Sequence, residues 1–309
     1  MLHPALPNQI EELRRQFASA QPFRHVVVDE FLDPVFCRQL MDDFPAFDAK
    51  NALNERGEPG RKAAISDLTR VGDAYARFDR LMRDRAFLSL IGRITGIPDL
   101  LYDPDYIGGG THENLNGQEL DTHVDFNYHP TTHAHRRLNL IVFLNREWQE
   151  SWGGCLELLR GPWATGAEDR RVVPPLANRA VIFETTESSW HGFRRIQLPA
   201  GVEMSRRSIA VYFYTKDRPE EQISSAHGTF YYQRPLPDHI RAGRTLREED
   251  VEELQILLQR RDQHIQFLYH RELEFSKTIA ALTASHAFRM GRIVIWPARA
   301  FRSIFKNRQ

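Results

Sequence analysis

The sequence predicts a mainly β fold, a β-sandwich or jelly roll with flanking helices, followed by a long C-terminal helix. Between about residues 100 and 215, short runs rich in β-branched and aromatic residues alternate with turn signals such as Pro174-Pro175 and Pro199-Ala200-Gly201. No helical periodicity separates these runs, which argues against an alternating α/β sheet. After residue 245 the pattern changes to an apolar heptad repeat.

The element boundaries follow from the same signals. Ahead of the β region, Asn8 and Glu11 form a plausible capping box for a first helix through Phe17, and Asp33-Pro34 places an N-cap and an N1 proline before a second helix. Predicted to be extended are Val26–Val28, Ile97–Ile107, Leu138–Leu144, Leu156–Leu159, Arg171–Val173, Arg179–Phe183 and Ser208–Tyr214. One helix is predicted over Asp73–Ile94.

The composition is that of an ordinary globular protein. The chain has 309 residues, 41% hydrophobic and 27% charged, and Lys+Arg and Asp+Glu both number 41. This balance gives no electrostatic argument for nucleic acid as a partner. Cys37 and Cys155 are expected to be buried reduced thiols. Neither a signal-peptide core nor a membrane-spanning run is recognisable, so a cytoplasmic location is expected.

The central motif is His123-Val124-Asp125, within Gln118–Asn127. Residues two apart on a β-strand project to the same face, so this imidazole and this carboxylate are expected side by side. Such a pair suits one edge of a facial triad, two histidines and one carboxylate, which binds Fe(II) and leaves coordination positions open. A third ligand is needed, because a lone His-x-Asp pair is more often two polar residues on a surface strand.

Two downstream residues complete the pattern. His191 follows the predicted strand Arg179–Phe183 and is the candidate second imidazole. Arg206 stands at the head of the predicted strand Ser208–Tyr214, where a guanidinium can bind a carboxylate through two parallel hydrogen bonds. Arg207 points to the opposite face of a strand and is the weaker candidate.

This order of residues resembles the 2-oxoglutarate/Fe(II)-dependent dioxygenases, specifically the prolyl-4-hydroxylase-like branch. Besides the His-x-Asp pair and the distal histidine, similar phrases are VVVDEFLDPVFCRQL at 26–40, FLNREW at 143–148, GGCLEL at 153–158 and R-x-S-I-x-V at 206–211. The resemblance covers roughly residues 23 to 216, about two thirds of the chain. It implies a double-stranded β-helix, the jelly roll of this family, with helices packed outside.

The resemblance also implies a reaction. His123, Asp125 and His191 would bind Fe(II), and Arg206 would bind the far carboxylate of 2-oxoglutarate, with ascorbate as a candidate reductant. The implied activity is an O2-dependent hydroxylation that releases succinate and CO2. Halogenating relatives replace the carboxylate ligand with a small residue, so Asp125 favours hydroxylation.

Three residues are candidates for lining the cosubstrate pocket: Tyr106, Asn139 and Phe143. Many relatives carry a tyrosine where this chain has Phe143, so one hydrogen bond to the cosubstrate is expected to be missing or replaced. The branch suggests a peptidyl proline as substrate, whereas the C-terminal region suggests a glycan or another surface polymer. The sequence leaves both open.

Several other features near the motif have ordinary interpretations. Four further histidines are expected in loops or in the substrate cleft, and the first is retained as a residue that could face the site: His112, His129, His133 and His135. Gly108–Gly110 predicts a tight bend or a close backbone approach, because no phosphate-binding helix follows. The polar segment Ala49–Arg61 is a surface loop or a lid over the substrate.

The predicted domains are an oxygenase domain at residues 1–235, a coiled-coil helix at 245–283 and a basic amphipathic tail at 284–309. Heptad positions a and d of the helix hold Val251, Leu254, Leu258, Ile265, Leu268, Phe275, Ile279 and Leu282. Arg261 and Glu272 are the two polar interruptions. A homo-oligomer through residues 251–282 is predicted, with a helix packed back on the oxygenase domain as the alternative.

The tail contains six Lys and Arg and no acidic residue between Ser285 and Gln309, interleaved with Trp296 and several phenylalanines. Such a segment can lie in the headgroup region of an anionic membrane, which would place the protein at the inner face of that membrane. Docking on an acidic partner is the alternative, and no nucleic-acid module is recognised. Pro297 interrupts any single helix there.

Two other function classes compete with the oxygenase. One is a jelly-roll scaffold or binding module, assembled by its coiled coil, with a vestigial metal site; the complete ligand set and Arg206 argue against it. The other is a cupin-like zinc or manganese enzyme without 2-oxoglutarate, which would leave Arg206 without a carboxylate to bind.

Overall fold

The protein structure is a computed structural model that describes residues 1–48, 50, 62–163, 166–232, 235–237, 239–288 and 290–291. The chain divides into two compact units, Met1–Tyr232 and Gln233–Gln309. The predicted loop or lid at 49–61, apart from Lys50, and most of the basic tail lie outside the described residues.

The first unit is built on two antiparallel sheets. The described strands are β1 His25–Val28, β2 Lys62–Ile65, β3 Leu101–Tyr102, β4 Gly110–Asn114, β5 Leu120–Val124, β6 His135–Phe143, β7 Leu156–Leu159, β8 Arg170–Val173, β9 Ala180–Glu184, β10 Trp190–Phe193, β11 Arg206–Thr215 and β12 Phe230–Tyr231. The larger sheet has the order β1-β9-β6-β11-β4-β2, with β3 also paired to β11. The smaller sheet has the order β12-β5-β10-β7-β8. This is the predicted mainly β jelly-roll architecture.

Helices cover the outer face of the larger sheet. They are α1 Ile10–Ser19, α2 Pro34–Asp42, α3 Asp73–Arg83 and α4 Arg85–Thr95. From Leu138 onward the side chains of β6 alternate between the two faces of the sheet, so Leu138, Leu140 and Val142 join the helices in one apolar core. On the opposite face of the strand, Phe143 joins a second cluster that includes Leu158 of the smaller sheet and Phe183 of the neighbouring strand β9.

Two N-terminal predictions need correction. The helix predicted over Asp73–Ile94 is two helices, because the Asp84 carboxylate accepts hydrogen bonds from the backbone N–H groups of Ala86 and Phe87 at 2.8 and 3.1 Å and caps a new helix. Apolar residues continue at helical spacing across this break, which hides it in the sequence. Asn8 forms no capping box: it lies in a 3-10 turn, and α1 starts at Ile10 with no side-chain cap.

Other local predictions are confirmed. Asp33 caps α2 through the N–H groups of Val35 and Phe36. The glycine run marks a close backbone approach: at Gly110, with φ of 99°, a Cβ would lie 2.1 Å from the Ile65 carbonyl oxygen of the neighbouring strand. Both cysteines are buried and free. Of the predicted extended run Ile97–Ile107, only β3 is a strand.

The second unit contains helix α5, Glu248–Ala284, which runs for 37 residues. It starts within the predicted TLREED signal, where the Asp250 carboxylate accepts a hydrogen bond from the Arg247 N–H at 2.9 Å. Among the residues described, no helix combines the length and apolar character needed to cross a membrane.

Candidate metal centre

Two neighbouring strands of the smaller sheet bring the predicted histidines together. Strands β5 and β10 pair antiparallel with His123 opposite His191, and the two imidazole centroids lie 4.2 Å apart. Asp125 follows the end of β5 by one residue. Its Oδ1 lies 3.7 Å from His123 Nε2 and its Oδ2 lies 3.5 Å from His191 Nε2. One ligand atom from each residue lies within 4.8 Å of the others, so the three side chains can hold one metal ion.

Both imidazoles present the correct nitrogen. His123 Nδ1 lies 2.9 Å from the Asp121 carbonyl oxygen, and His191 Nδ1 lies 2.9 Å from the Ser189 carbonyl oxygen. A carbonyl only accepts, so each Nδ1 carries the hydrogen and each Nε2 keeps its lone pair toward Asp125. Burial lowers the pKa of His123 to about 3, with His191 adding to the effect. Burial also lowers the pKa of His191, so both rings are neutral near pH 7 and can bind a metal through Nε2.

The Asp125 carboxylate forms an ion pair with a buried arginine. Arg136 Nη2 forms an ion pair with Asp125 Oδ2 at 3.0 Å, and Asn139 Nδ2 donates a hydrogen bond to the same oxygen at 2.8 Å. Burial alone would raise the pKa of Asp125, but Arg136, both histidines and the Asn139 hydrogen bond lower it below its usual range. The carboxylate is therefore ionised, and one of its oxygens is fixed by two donors.

Arg136 is itself fixed on every side. Its guanidinium lies 3.6 Å from the Tyr212 ring centroid and 4.4 Å from that of Phe126, and it is 1% exposed. Its Nε and Nη2 also donate to Asn139 Oδ1 at 3.1 and 2.8 Å. Asn139 therefore connects the guanidinium to the carboxylate, and this cluster sets the direction in which Asp125 points.

Arg206 is a buried cation at the start of β11. It is 4% exposed, its Nε donates to the Gly154 carbonyl oxygen at 2.6 Å, and its guanidinium lies 4.4 Å from the Phe193 ring centroid and 5.1 Å from that of Phe143. Burial lowers its pKa to about 10, which leaves it charged near pH 7. Among the described residues, no carboxylate lies within ion-pair distance of Arg206. A buried guanidinium of this kind suits a bound anion.

A continuous apolar wall connects Arg206 to the histidines. Phe143 and Phe183 belong to one buried cluster, and the Phe183 ring centroid lies 4.8 Å from that of His191. The cation and the candidate ligands therefore border the same interior.

A family comparison now agrees with this geometry. Residues 110–214 match the model of the 2OG-Fe(II) oxygenase superfamily. Over this segment the chain is similar to the 2OG-Fe(II) oxygenase superfamily. Oxygenases of this superfamily use Fe(II) and 2-oxoglutarate, and two imidazoles, a carboxylate and a buried arginine are a donor set that fits both. The matched segment contains His123, Asp125, His191 and Arg206.

Several solved structures are weakly similar to this chain. A prolyl hydroxylase from Trichoplax adhaerens, in complex with a hypoxia inducible factor oxygen degradation domain peptide fragment, is 14% identical; the match covers 68% of this chain and 91% of that chain with a TM-score of 0.49. A Pseudomonas putida prolyl-4-hydroxylase is 17% identical, covering 69% and 100% with a TM-score of 0.44. HygX from Streptomyces hygroscopicus, with nickel and 2-oxoglutarate bound, is 13% identical, covering 66% and 91% with a TM-score of 0.42. With all three TM-scores below 0.5, these likenesses carry no argument about this chain. No curated protein matches the chain.

The other predicted residues of the oxygenase fall in different places. Phe143 contacts Arg206, as described, and Asn139 contacts Asp125. Tyr106 requires a correction: it lies in the core under the helices, and its hydroxyl is 3.3 Å from Asp79 Oδ1. A backbone φ of 47° at Tyr106 turns the chain there, so the side chain does not follow the extended pattern that the sequence predicted.

The further histidines of the first unit remain outside the ligand set. His112 lies opposite Ser208 in the row that contains Phe143, on the inner face of the larger sheet. His129 connects two segments of the chain. Its Nε2 lies 3.3 Å from Asp103 Oδ1, while its Nδ1 accepts hydrogen bonds from the N–H groups of Thr131 and Thr132. The contacts with Thr131 and Thr132 are turn contacts, as the loop interpretation predicted.

The sequence interpretation missed two groups. Arg136 was overlooked because an arginine beside an apolar strand is usually a solvated residue at the strand end. The aromatic run on and after β12 was also overlooked: Tyr231 lies opposite His123 with ring centroids 5.0 Å apart, and Phe230 lies 6.1 Å from Trp190. Three consecutive aromatic residues after a polar segment were the available signal.

Proposed function

We propose that this oxygenase is a 2-oxoglutarate- and O2-dependent hydroxylase in which His123, Asp125 and His191 hold Fe(II) and Arg206 binds the distal carboxylate of 2-oxoglutarate. The observation that carries the proposal is the convergence of three ligand atoms in an interior that also contains a buried guanidinium without a carboxylate partner among the described residues. A scaffold would have no need to bury this charge, since burying an unpaired cation costs stability.

Each residue has a defined task. When bound, Fe(II) and 2-oxoglutarate supply the activation of O2 for hydroxylation, with release of succinate and CO2. The neutral histidines offer the lone pairs of their Nε2 atoms to the metal. Arg136 and Asn139 fix the orientation of the Asp125 carboxylate. Phe143 and Phe193 exclude water from the guanidinium of Arg206, which strengthens its interaction with a carboxylate.

An anaerobic titration tests the proposal. Fe(II) and then 2-oxoglutarate are added while the visible charge-transfer band of the chelate is recorded, for the natural chain and for Asp125→Ala and Arg206→Ala. The matched control is Arg207→Ala, because Arg207 lies next to Arg206 but bonds to Glu113 and Ser205 on the other face. Loss of the band in Asp125→Ala and in Arg206→Ala, with the band kept in Arg207→Ala, supports the proposal. A chain without the band, with metal bound, would instead favour the zinc or manganese alternative or the scaffold.

For the substrate, we propose a peptidyl proline or a sugar unit of a surface polymer. Aromatic side chains on and around β12 support a substrate with a flat C–H face. The Tyr231 ring lies 5.0 Å from that of His123, Trp163 and Phe230 are 65% and 55% exposed, and Trp163 packs on Tyr232 at 4.5 Å between ring centroids. Succinate release with proline-containing peptides and with saccharides, compared between the natural chain and Trp163→Ala, tests this. Equal rates in both proteins with every substrate would contradict it.

We also propose that residues 251–282 assemble the protein into a homo-oligomer and that the basic tail binds an anionic membrane surface from the cytoplasmic side. The support is the heptad repeat on α5 and the excess of basic residues in the tail sequence. The full chain should sediment with phosphatidylserine vesicles, whereas a chain that ends at Ala284 should stay in the supernatant. Equal sedimentation of both chains would contradict the membrane proposal.

A further inference from the structure

Helix α5 exposes a long apolar stripe. Except for Leu254, which is half-buried, the apolar residues at heptad positions a and d have exposed fractions from 43% at Val251 to 60% at Leu282. Between these two residues along the stripe, the exposed fractions are 58% for Leu258, 49% for Ile265 and Leu268, 57% for Phe275 and 60% for Ile279. A stripe of this length with a period of 3.5 residues is the seam of a two-stranded coil.

The polar interruptions fix how a second copy fits. In an antiparallel pair of helices, each a residue faces a d residue of the partner, and facing residues have a constant sum of residue numbers. Arg261 occupies a d position and Glu272 an a position. They face each other when that sum is 533, and this single value sets the register of every other layer.

We infer, building on the homo-oligomer proposed above, that α5 pairs with α5 of a second copy as an antiparallel coiled coil in this register. Every remaining a residue then meets an apolar d residue. The layers are Val251 with Leu282, Leu254 with Ile279, Leu258 with Phe275, Ile265 with Leu268, and Arg261 with Glu272, each formed twice by symmetry. The two-fold axis passes between Gln266 and Phe267.

The alternative arrangements lose this match. In a parallel in-register dimer, Arg261 faces Arg261 of the second copy and Glu272 faces Glu272, so two layers hold like charges. Sliding the antiparallel pair by one heptad places Arg261 against Ile279 and Glu272 against Leu268. Both charges are then buried against apolar side chains, which is unfavourable. Only the register with sum 533 pairs opposite charges and keeps all other layers apolar.

The two arrangements also differ in dimensions. With a rise of about 1.5 Å per residue, the two copies of Val251 lie about 47 Å apart along the antiparallel coil. In a parallel coil they would lie about 10 Å apart, which is the distance between the helix axes.

Charge reversal in the full chain tests the register. Arg261→Glu alone and Glu272→Arg alone each place like charges opposite one another in two layers, so the dimer dissociation constant measured by sedimentation velocity should rise about tenfold or more. The double variant Arg261→Glu/Glu272→Arg should restore dimerisation. In a parallel dimer, either single change merely replaces one like-charge layer by another, and the double variant rescues nothing.

Cysteine cross-linking gives an independent result, and both natural cysteines are buried. A mixture of Leu254→Cys and Ile279→Cys chains should form a disulfide-linked heterodimer, whereas Leu254→Cys alone should not cross-link. Self-linking of Leu254→Cys would show a parallel coil and overturn the antiparallel register while leaving the homo-oligomer intact. A chain that is monomeric at tens of micromolar would overturn both, and neither result bears on the oxygenase chemistry, which the chelate titration reports.

Discussion

At the scale of single residues, Arg136 has the most specific task. It forms an ion pair with Asp125 at 3.0 Å and is held between two aromatic rings, so its position is fixed before any metal binds. Groups that orient metal ligands commonly change metal affinity by about 10- to 100-fold when removed. Arg136 is therefore a positioning residue for the candidate metal centre.

We expect Arg136→Met to lower Fe(II) affinity by about 10- to 100-fold, because Asp125 loses both its cation and the donor that orders Asn139. Methionine keeps much of the buried volume between Phe126 and Tyr212, so the fold should persist. Anaerobic calorimetry with Fe(II) measures the affinity, and Arg136→Lys, which retains the charge, should lie between. Unchanged affinity in Arg136→Met would show that Asp125 needs no such support.

The pKa of His123 predicts a stability change with pH. Its pKa is about 3 in the folded chain and about 6.5 in an unfolded chain, because burial disfavours the charged ring. As the pH falls below 6.5, the unfolded state binds a proton at this ring and the folded state does not. The free energy of unfolding therefore decreases down to about pH 3.

For the metal-free protein, this single histidine should cost about 2 kcal/mol of unfolding free energy between pH 7 and pH 5. Urea unfolding at a series of pH values, with and without His123→Asn, isolates its share. The variant should show the flatter dependence on pH. Parallel curves would mean that His123 is not buried as a neutral ring in the metal-free state.

At the scale of elements, several strands were predictable because β-branched and aromatic runs have sharp limits. Leu156–Leu159 was placed without error, and Ser208–Tyr214 was two residues short at its N-terminal end and one short at its C-terminal end. The break between α3 and α4 was not predictable from periodicity, because only the Asp84 side chain marks it. Long-range placement was also hidden. A sequence cannot show that Tyr106 packs under the helices while Arg136 meets Asp125.

The pairing of β5 with β10 makes a further prediction, because it sets the distance between His123 and His191. Gly192 lies on β10, and a Cβ there would lie 2.6 Å from the Leu120 carbonyl oxygen and 3.1 Å from that of Asp121. Gly192→Ala should push the strands apart, lower stability by about 1–3 kcal/mol and weaken Fe(II) binding. Thermal unfolding and anaerobic calorimetry measure these effects.

Gly161→Ala is the matched control for this change. Apart from Gly161 itself and its chain neighbours, no atom of the described residues lies within 4 Å of the added Cβ, so both stability and metal affinity should remain near those of the natural chain. Equal behaviour of the two variants would show that the contact between β10 and β5 tolerates a methyl group and does not govern the metal centre.

At the scale of the whole molecule, the sequence predicted a jelly roll with outer helices and a long C-terminal helix, and the structure confirms both. Alternating burial within a sheet and a heptad repeat along a helix are periodic signals, so they survive in the sequence. The substrate leaves no such signal. It depends on side chains from separate segments, such as Tyr231, whose ring meets that of His123 only after folding.

All four candidate site residues, His123, Asp125, His191 and Arg206, belong to the first unit, whereas the apolar stripe lies on α5 in the second. Formation of the 2-oxoglutarate chelate should therefore not depend on dimerisation. We expect Arg261→Glu, measured as a monomer at low micromolar concentration, to bind Fe(II) and 2-oxoglutarate with the affinities of the dimeric natural chain. Weaker binding that recovers in the charge-swapped double variant would show instead that a second copy supports the site, because only contact with that copy connects residue 261 to the chelate.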